Sequence, residues 1–147
     1  MSVATLLASA ARTSSGTAAI SLTRDFSEAI SAALLLDVTV DESTAADRLN
    51  VYVQHSLDGG TTYDDIGHFT EHAGNGGAKQ YRMQWVRDIT PTDPERLIAA
   101  ASLGAGVVQA GPVGPDWRIQ WAVTDDSGSA SFTFSVKGQI NRSRDNR

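Results

Sequence analysis

Residues 48–66, RLNVYVQHSLDGGTTYDDI, alternate apolar and polar side chains and then break into a glycine-bearing turn. Leu49, Val51 and Val53 fall on one face of an extended chain, and Asn50, Tyr52 and Gln54 on the other. A period of two does not fit a helix, where a buried stripe recurs every three to four residues. It fits a strand with one face in a core and the other outside. Asp58-Gly59-Gly60 then supplies the positive φ that a tight reversal needs.

The same pattern recurs along the chain. Leu34, Leu36, Val38 and Val40 share a face, as do Tyr81, Met83 and Trp85. Trp117, Ile119, Trp121 and Val123 precede a turn at 124–128, and Phe132, Phe134, Val136, Gly138 and Ile140 follow it. These two runs read as a closing hairpin. Together the segments predict a mainly β protein, an antiparallel β-sandwich or open barrel. One short helix is expected near residues 94–103, with Asp93 as cap, Pro94 at the first helical position and Gly104 beyond the end.

With 147 residues, a single domain with a real hydrophobic core is the natural expectation. Residues 1–25 are rich in Ala, Ser and Thr and read as an N-terminal arm and first strand. Residues 26–141 read as the β-sandwich domain, and 142–147 as a flexible polar tail. The segment 2–11 suits a weak helix or an extended arm, whose Val3, Leu6 and Leu7 are candidate contacts with a partner or a neighbouring subunit. On that reading, deleting residues 2–13 leaves the domain folded.

The net charge is −5, and the only basic cluster is the terminal 141–147 stretch. That balance opposes a nucleic-acid role, which calls for a basic stripe. No apolar run approaches the roughly 18–20 residues needed to cross a bilayer, and the first residues lack a basic n-region. A cytoplasmic protein, or one built into an assembly there, is expected, with no membrane partner. Cysteine is absent, which rules out disulfides and thiolate metal sites.

Several motifs imitate chemistry. His68-Phe69-Thr70-Glu71-His72 matches H-x-x-E-H, but zinc ligation by that pair requires a helix. In a strand the two histidines stand about 13 Å apart, and flanking glycines leave room for barely one helical turn. Exposed loop histidines are the expectation. Asp64 and Asp65, and Asp125 and Asp126, are acidic pairs without the spacing of a calcium loop. They read as turn residues. Neither a G-x-S-x-G elbow nor a phosphate loop occurs. Ser56-Leu57-Asp58-Gly59-Gly60-Thr61-Thr62-Tyr63 is similar to the Asp-box of propeller sialidases, S-x-D-x-G-x-T-W, with Tyr63 for tryptophan. There the box is a folding device, and one copy cannot build a propeller. Ser56, Asp58, Gly59, Gly60, Thr62 and Tyr63 are therefore expected to shape a hairpin turn. No catalytic, cofactor or metal residue is expected.

A further resemblance spans most of the chain. Its carriers are Leu6-Leu7-Ala8-Ser9-Ala10-Ala11-Arg12-Thr13, Leu34-Leu35-Leu36-Asp37-Val38-Thr39, and Leu49-Asn50-Val51-Tyr52-Val53-Gln54-His55-Ser56-Leu57-Asp58-Gly59-Gly60. Trp117-Arg118-Ile119-Gln120-Trp121 and Phe132-Thr133-Phe134-Ser135-Val136-Lys137-Gly138 complete the set. In order and spacing they resemble a family of small virion structural proteins of tailed bacteriophages. The resemblance implies a non-enzymatic β-sandwich on the virion, decorating or cementing the capsid. Its partner would be the shell of major capsid protein, and its assembly a homo-oligomer, a trimer by analogy with similar cement proteins. No cofactor is implied. A tail or neck component and a carbohydrate-binding or adhesive module are the alternatives. The alternation opposes the last of these by directing Trp85, Trp117 and Trp121 into the core.

Overall fold

The alternating runs form two antiparallel sheets that bury their apolar faces against each other, a β-sandwich. The computed structural model describes residues 3–20, 26–41, 43–87 and 103–142. Its strands are β1 (Ala4–Arg12), β2 (Gly16–Ala19), β3 (Ala29–Asp41), β4 (Arg48–Ser56), β5 (Asp64–His68), β6 (His72–Ala73), β7 (Lys79–Val86), β8 (Asp116–Thr124) and β9 (Phe132–Arg142). A 3-10 turn, Phe26–Glu28, precedes β3. The first sheet runs β1-β9-β3-β7, and the second β2-β8-β4-β5, with β6 also on β4. The expected helix at 94–103 falls, up to residue 102, outside the described residues, as do 143–147 of the expected tail.

The core forms where the inner faces meet. Trp85 of the first sheet stands edge-on to Trp117 of the second, with centroids 5.5 Å apart, and Phe26 stacks on Trp117 at 4.6 Å. Leu34, Leu36, Val38, Phe132, Phe134 and Val136 pack opposite Leu49, Val51, Val53 and Ile119, all buried. Trp121, expected in the core, is only half-buried, at the margin against Phe134. Gly138 marks a tight place between β9, β3 and β1. A Cβ there would lie 2.7 Å from Leu34 Cδ2 and 2.9 Å from Leu6 Cδ1, too close for any other residue without repacking.

Three departures from simple alternation have local causes. Val40 is 45% exposed although it extends the Leu34-Leu36-Val38 series. A register shift against β9 between Val38 and Val40 turns it outward. Leu6 and Leu7 are adjacent, yet both are buried. A register shift in β1 against β9 between Thr5 and Leu7 allows this, because a bulge brings neighbouring side chains to one face. The runs around 124–128 do not pair as a hairpin. β8 lies in the second sheet and β9 in the first, so their aromatic faces oppose each other across the core.

The N-terminal segment is therefore not a separate arm. β1 pairs with β9, and β2 pairs with β8. Leu6 and Leu7 belong to this chain's own core, and only Val3, 66% exposed, remains available to a neighbour. At the other end Arg142 is the last residue of β9 rather than the start of a tail. Truncation of residues 2–13 should thus destabilise the fold. Leu6→Ala should cost about 2–5 kcal/mol in urea unfolding, the range for a buried leucine truncated in a packed core. An unchanged midpoint would place β1 outside the cooperative unit.

Candidate functional site

The hairpin between β4 and β5 is built around one carboxylate. Asp58 Oδ1 accepts from the amides of Thr61 (3.0 Å) and Thr62 (2.8 Å), and its Oδ2 accepts from the Thr62 hydroxyl (2.6 Å). Ser56 Oγ donates to Asp58 Oδ1 at 2.7 Å and accepts from the Gly60 amide at 2.8 Å. Gly59 and Gly60 take φ of 74° and 90°, values that a side chain would resist. Tyr63 lies beneath the Arg118 guanidinium, 3.8 Å from ring centroid to Cζ. The Thr62 hydroxyl and amide, the Ser56 hydroxyl and the Thr61 amide hold the Asp58 carboxyl well below the usual carboxylate range. Its oxygens face this loop's own donors, the arrangement of a turn clamp rather than of a general acid.

The opposite end of the sandwich holds a cluster that the sequence did not mark. Asp47, fully buried, sits where the chain crosses from β3 to β4. Its Oδ2 accepts from the Thr44 amide (2.9 Å) and the Ser127 hydroxyl (2.8 Å). Its Oδ1 accepts from the amides of Asp126 (2.9 Å) and Ser127 (3.0 Å). The Thr44 amide contributes most to holding this carboxyl down to about 2, against the opposing effect of burial, with Ser127 and Asp126 adding to it. Sequence reasoning saw only a polar loop here, because Asp126 and Ser127 donate from about 80 positions away.

Both histidines of the H-x-x-E-H match are buried, not exposed in a loop, because β5 and β6 are laid on β4 in turn. His68 stacks on Tyr52 at 4.0 Å, with Nδ1 at 2.8 Å from the Leu103 carbonyl and Nε2 at 2.7 Å from Asn50 Oδ1. His72 places Nε2 at 2.9 Å from Asp41 Oδ2 and Nδ1 at 2.9 Å from the Tyr81 hydroxyl. With Nε2–H donating to the Asp41 carboxylate, the neutral ring accepts at Nδ1 from the Tyr81 hydroxyl. Burial, and then the Asp41 charge, push the Tyr81 hydroxyl's pKa up, which keeps that donor protonated. All four ring nitrogens are thus occupied by protein partners, and among the described residues no three His, Cys, Asp or Glu groups are placed to share a metal.

His55 is buried beside them in sequence, but on the other end, and its Nδ1 accepts from the Gly114 amide at 2.9 Å. Burial lowers its pKa against the pull of Asp64, in keeping with a neutral acceptor ring. Of the acidic pairs, Asp65 binds the Gln54 amide (2.6 Å) and the Leu103 amide (2.8 Å), and Asp125 binds the Ala130 amide (3.0 Å). The turn reading holds for Asp125, but Asp64 and Asp65 lie in β5, and the Asp65 partners are a neighbouring strand and a segment 38 residues on.

What the polar clusters leave uncommitted is a groove of about 600 Å3 on the outer face of the first sheet. Ala33 and Leu35 form its floor on β3. Leu35 stands opposite Arg82 on β7 and Lys137 on β9, and Ala33 opposite Gln84 and Gln139. Strand spacing puts the two cationic residues about 10 Å apart across the leucine. Among the described residues neither cation has a carboxylate within ion-pair distance. Asp37 occupies the next row, opposite Gln80 and Ser135. Sequence alternation assigns these side chains outward, but only the register brings them together.

Comparison with known protein families, with curated proteins and with solved structures finds no match.

Two outcomes test the carboxylate assignments. Asp58→Ala should raise amide hydrogen exchange at Thr61 and Thr62 at least about tenfold while the core amides stay protected; unchanged exchange there would remove Asp58 as the clamp. Asp47→Asn should unfold at lower denaturant than wild type at pH 7. Because the folded-state value lies near 2, below the ordinary 3.8, the stabilisation is present above pH 4 and lost as pH falls through 2. The gap between the two proteins should close over that window, and a pH-independent gap would contradict the assignment.

Proposed function

We propose that this chain is a non-enzymatic structural protein of a tailed-bacteriophage virion, a decoration or cement protein bound to the outside of the head. The resemblance of its strand segments to small virion proteins motivates the reading. The observation that carries it is the division of labour among polar groups. Asp47, Asp58, His68 and His72 are consumed by this chain's own backbone and side chains. The two cations on the first sheet's broad outer face have no such partner among the described residues.

A cement protein needs this distribution. It must keep its shape without a partner, then spread contact area over shell subunits. Two internally tied crossovers and a clamped hairpin give a rigid body, so binding costs little ordering entropy. The partner in this reading is the major capsid protein, and the chain acts as a homo-oligomer, taken as a trimer, assembled in the bacterial cytoplasm and carried on the virion. A sugar-binding reading is less well supported, because Trp85 and Trp117 are buried in the core.

Quantitative mass spectrometry and cryo-microscopy of purified particles test the proposal. The chain is expected on the head at a copy number in fixed ratio to the capsid subunits, with three copies per position. Its absence from particles, or density confined to the tail or neck, would overturn the assignment.

A further inference from the structure

The groove on the first sheet has chemistry specific enough to name what it takes. Its floor is apolar, Ala33 and Leu35, and its walls carry Arg82 and Lys137 in one row and Gln84 and Gln139 in the next. In a chain of net charge −5, three other cations among the described residues are already engaged. Arg48 pairs with Glu71 at 3.2 Å, Arg118 donates to Gln54 at 2.7 Å, and Arg12 donates to Phe134 O at 2.8 Å. Arg82 and Lys137 instead converge on one leucine from both sides.

We infer that this groove docks an extended protein segment in which a carboxylate and an aliphatic side chain stand two residues apart and so share one face. The carboxylate sits between Arg82 and Lys137, where the arginine offers paired donors and the lysine a compact charge. The aliphatic side chain rests on Ala33 and Leu35. Gln84 and Gln139 each offer a donor and an acceptor to the segment's main chain. Asp37, one row beyond Leu35, repels a second carboxylate on that side, so the acidic residue enters with the aliphatic one toward Ala33. Charge complementarity of this kind selects partner and register more than it adds raw affinity. Nucleic acid fits less well. It presents a phosphate about every 3.4 Å along a strand, and two cations with a carboxylate in the adjoining row make no stripe for it. The proposal that the segment belongs to a shell subunit rests on the virion reading above; the chemistry of the groove does not.

The test uses, as probe for the isotopically labelled full chain, a capped peptide repeating Asp-Ser-Leu-Ser, which puts aspartate and leucine on one face when extended. The chain's amide resonances at 33–35, 82–84 and 137–139 should shift on titration, with affinity falling as salt rises. A peptide repeating Lys-Ser-Leu-Ser should leave them unmoved. Arg82→Glu with Lys137→Glu should weaken the peptide at least tenfold, with an unchanged denaturation midpoint. Ala33→Trp, which keeps both cations and fills the floor, should weaken it comparably. Shifts mapping elsewhere, equal binding by the double variant, or tighter binding of single-stranded oligothymidylate on this face would each overturn the inference. In particles, the double variant should be lost where wild type is retained; equal retention would remove the groove as the docking surface. Absence of wild type from particles would instead defeat the virion reading, while the resonance map still judges the groove.

Discussion

The fold depends on Asp47, a carboxylate buried between two crossings of the chain. The β3–β4 and β8–β9 connections both pass from the first sheet to the second or back. Neither is a hairpin, so no ladder between its own flanking strands fixes its path. Asp47 takes the amides of Asp126 and Ser127 from one crossing and that of Thr44 from the other. Ser43 Oγ adds a reciprocal pair with Ser131, accepting from its amide at 2.8 Å and donating to its carbonyl at 3.1 Å. A buried charge without partners would be costly, but one surrounded by main-chain donors satisfies them and is satisfied in turn. Through these bonds the sheets are held in one register at this end, and Trp85 can meet Trp117 farther along.

Sequence reading succeeded where the cause is local. Leu49, Val51 and Val53 are buried because alternation of side chains in a strand is a local property. The Asp58 turn was likewise legible, since donor and acceptor lie within four residues of each other. It failed where partners are distant. The runs 117–123 and 132–140 look like a hairpin from either side of a glycine-bearing turn, yet they lie in opposite sheets. Nothing in their alternation differs between the two cases, because both bury one face. Likewise the Ala-, Ser- and Thr-rich composition around Leu6 and Leu7 suggested an arm, whereas a bulge in β1 against β9 buries both. The histidines at 68 and 72 were placed in a loop because glycines flank them; strand pairing with β4 overrode that local signal.

The edges of the sandwich are managed by the same economy. β1 is an edge strand of small residues, the type of element that invites pairing with other chains. Two register shifts against β9 distort it. The Arg12 guanidinium also turns back onto the carbonyls of Ala8 (2.8 Å) and Ala10 (3.0 Å), lying 4.4 Å from the Phe134 ring centroid. On the second sheet, residues 103–109 run beside β5, with Gln109 donating to Ile66 O at 2.8 Å and the Val107 carbonyl accepting from His68. Edge-to-edge growth is discouraged on both of these sides.

That leaves faces rather than edges as surfaces for partners, and the two outer faces differ in a way that bears on function. On the second sheet, Arg48, Glu71, Asn50 and His68 form one continuous polar chain, and Arg118, Gln54 and Asp65 another. A partner approaching there must break bonds that are already made, with no gain in the exchange. On the first sheet, Arg82 and Lys137 lose only water when a carboxylate arrives, and Ala33 and Leu35 lose only apolar hydration. The cost of desolvating those two cations is offset when a carboxylate pairs with both. A rigid sandwich whose internal polar groups are satisfied gains most from binding through the few that are not.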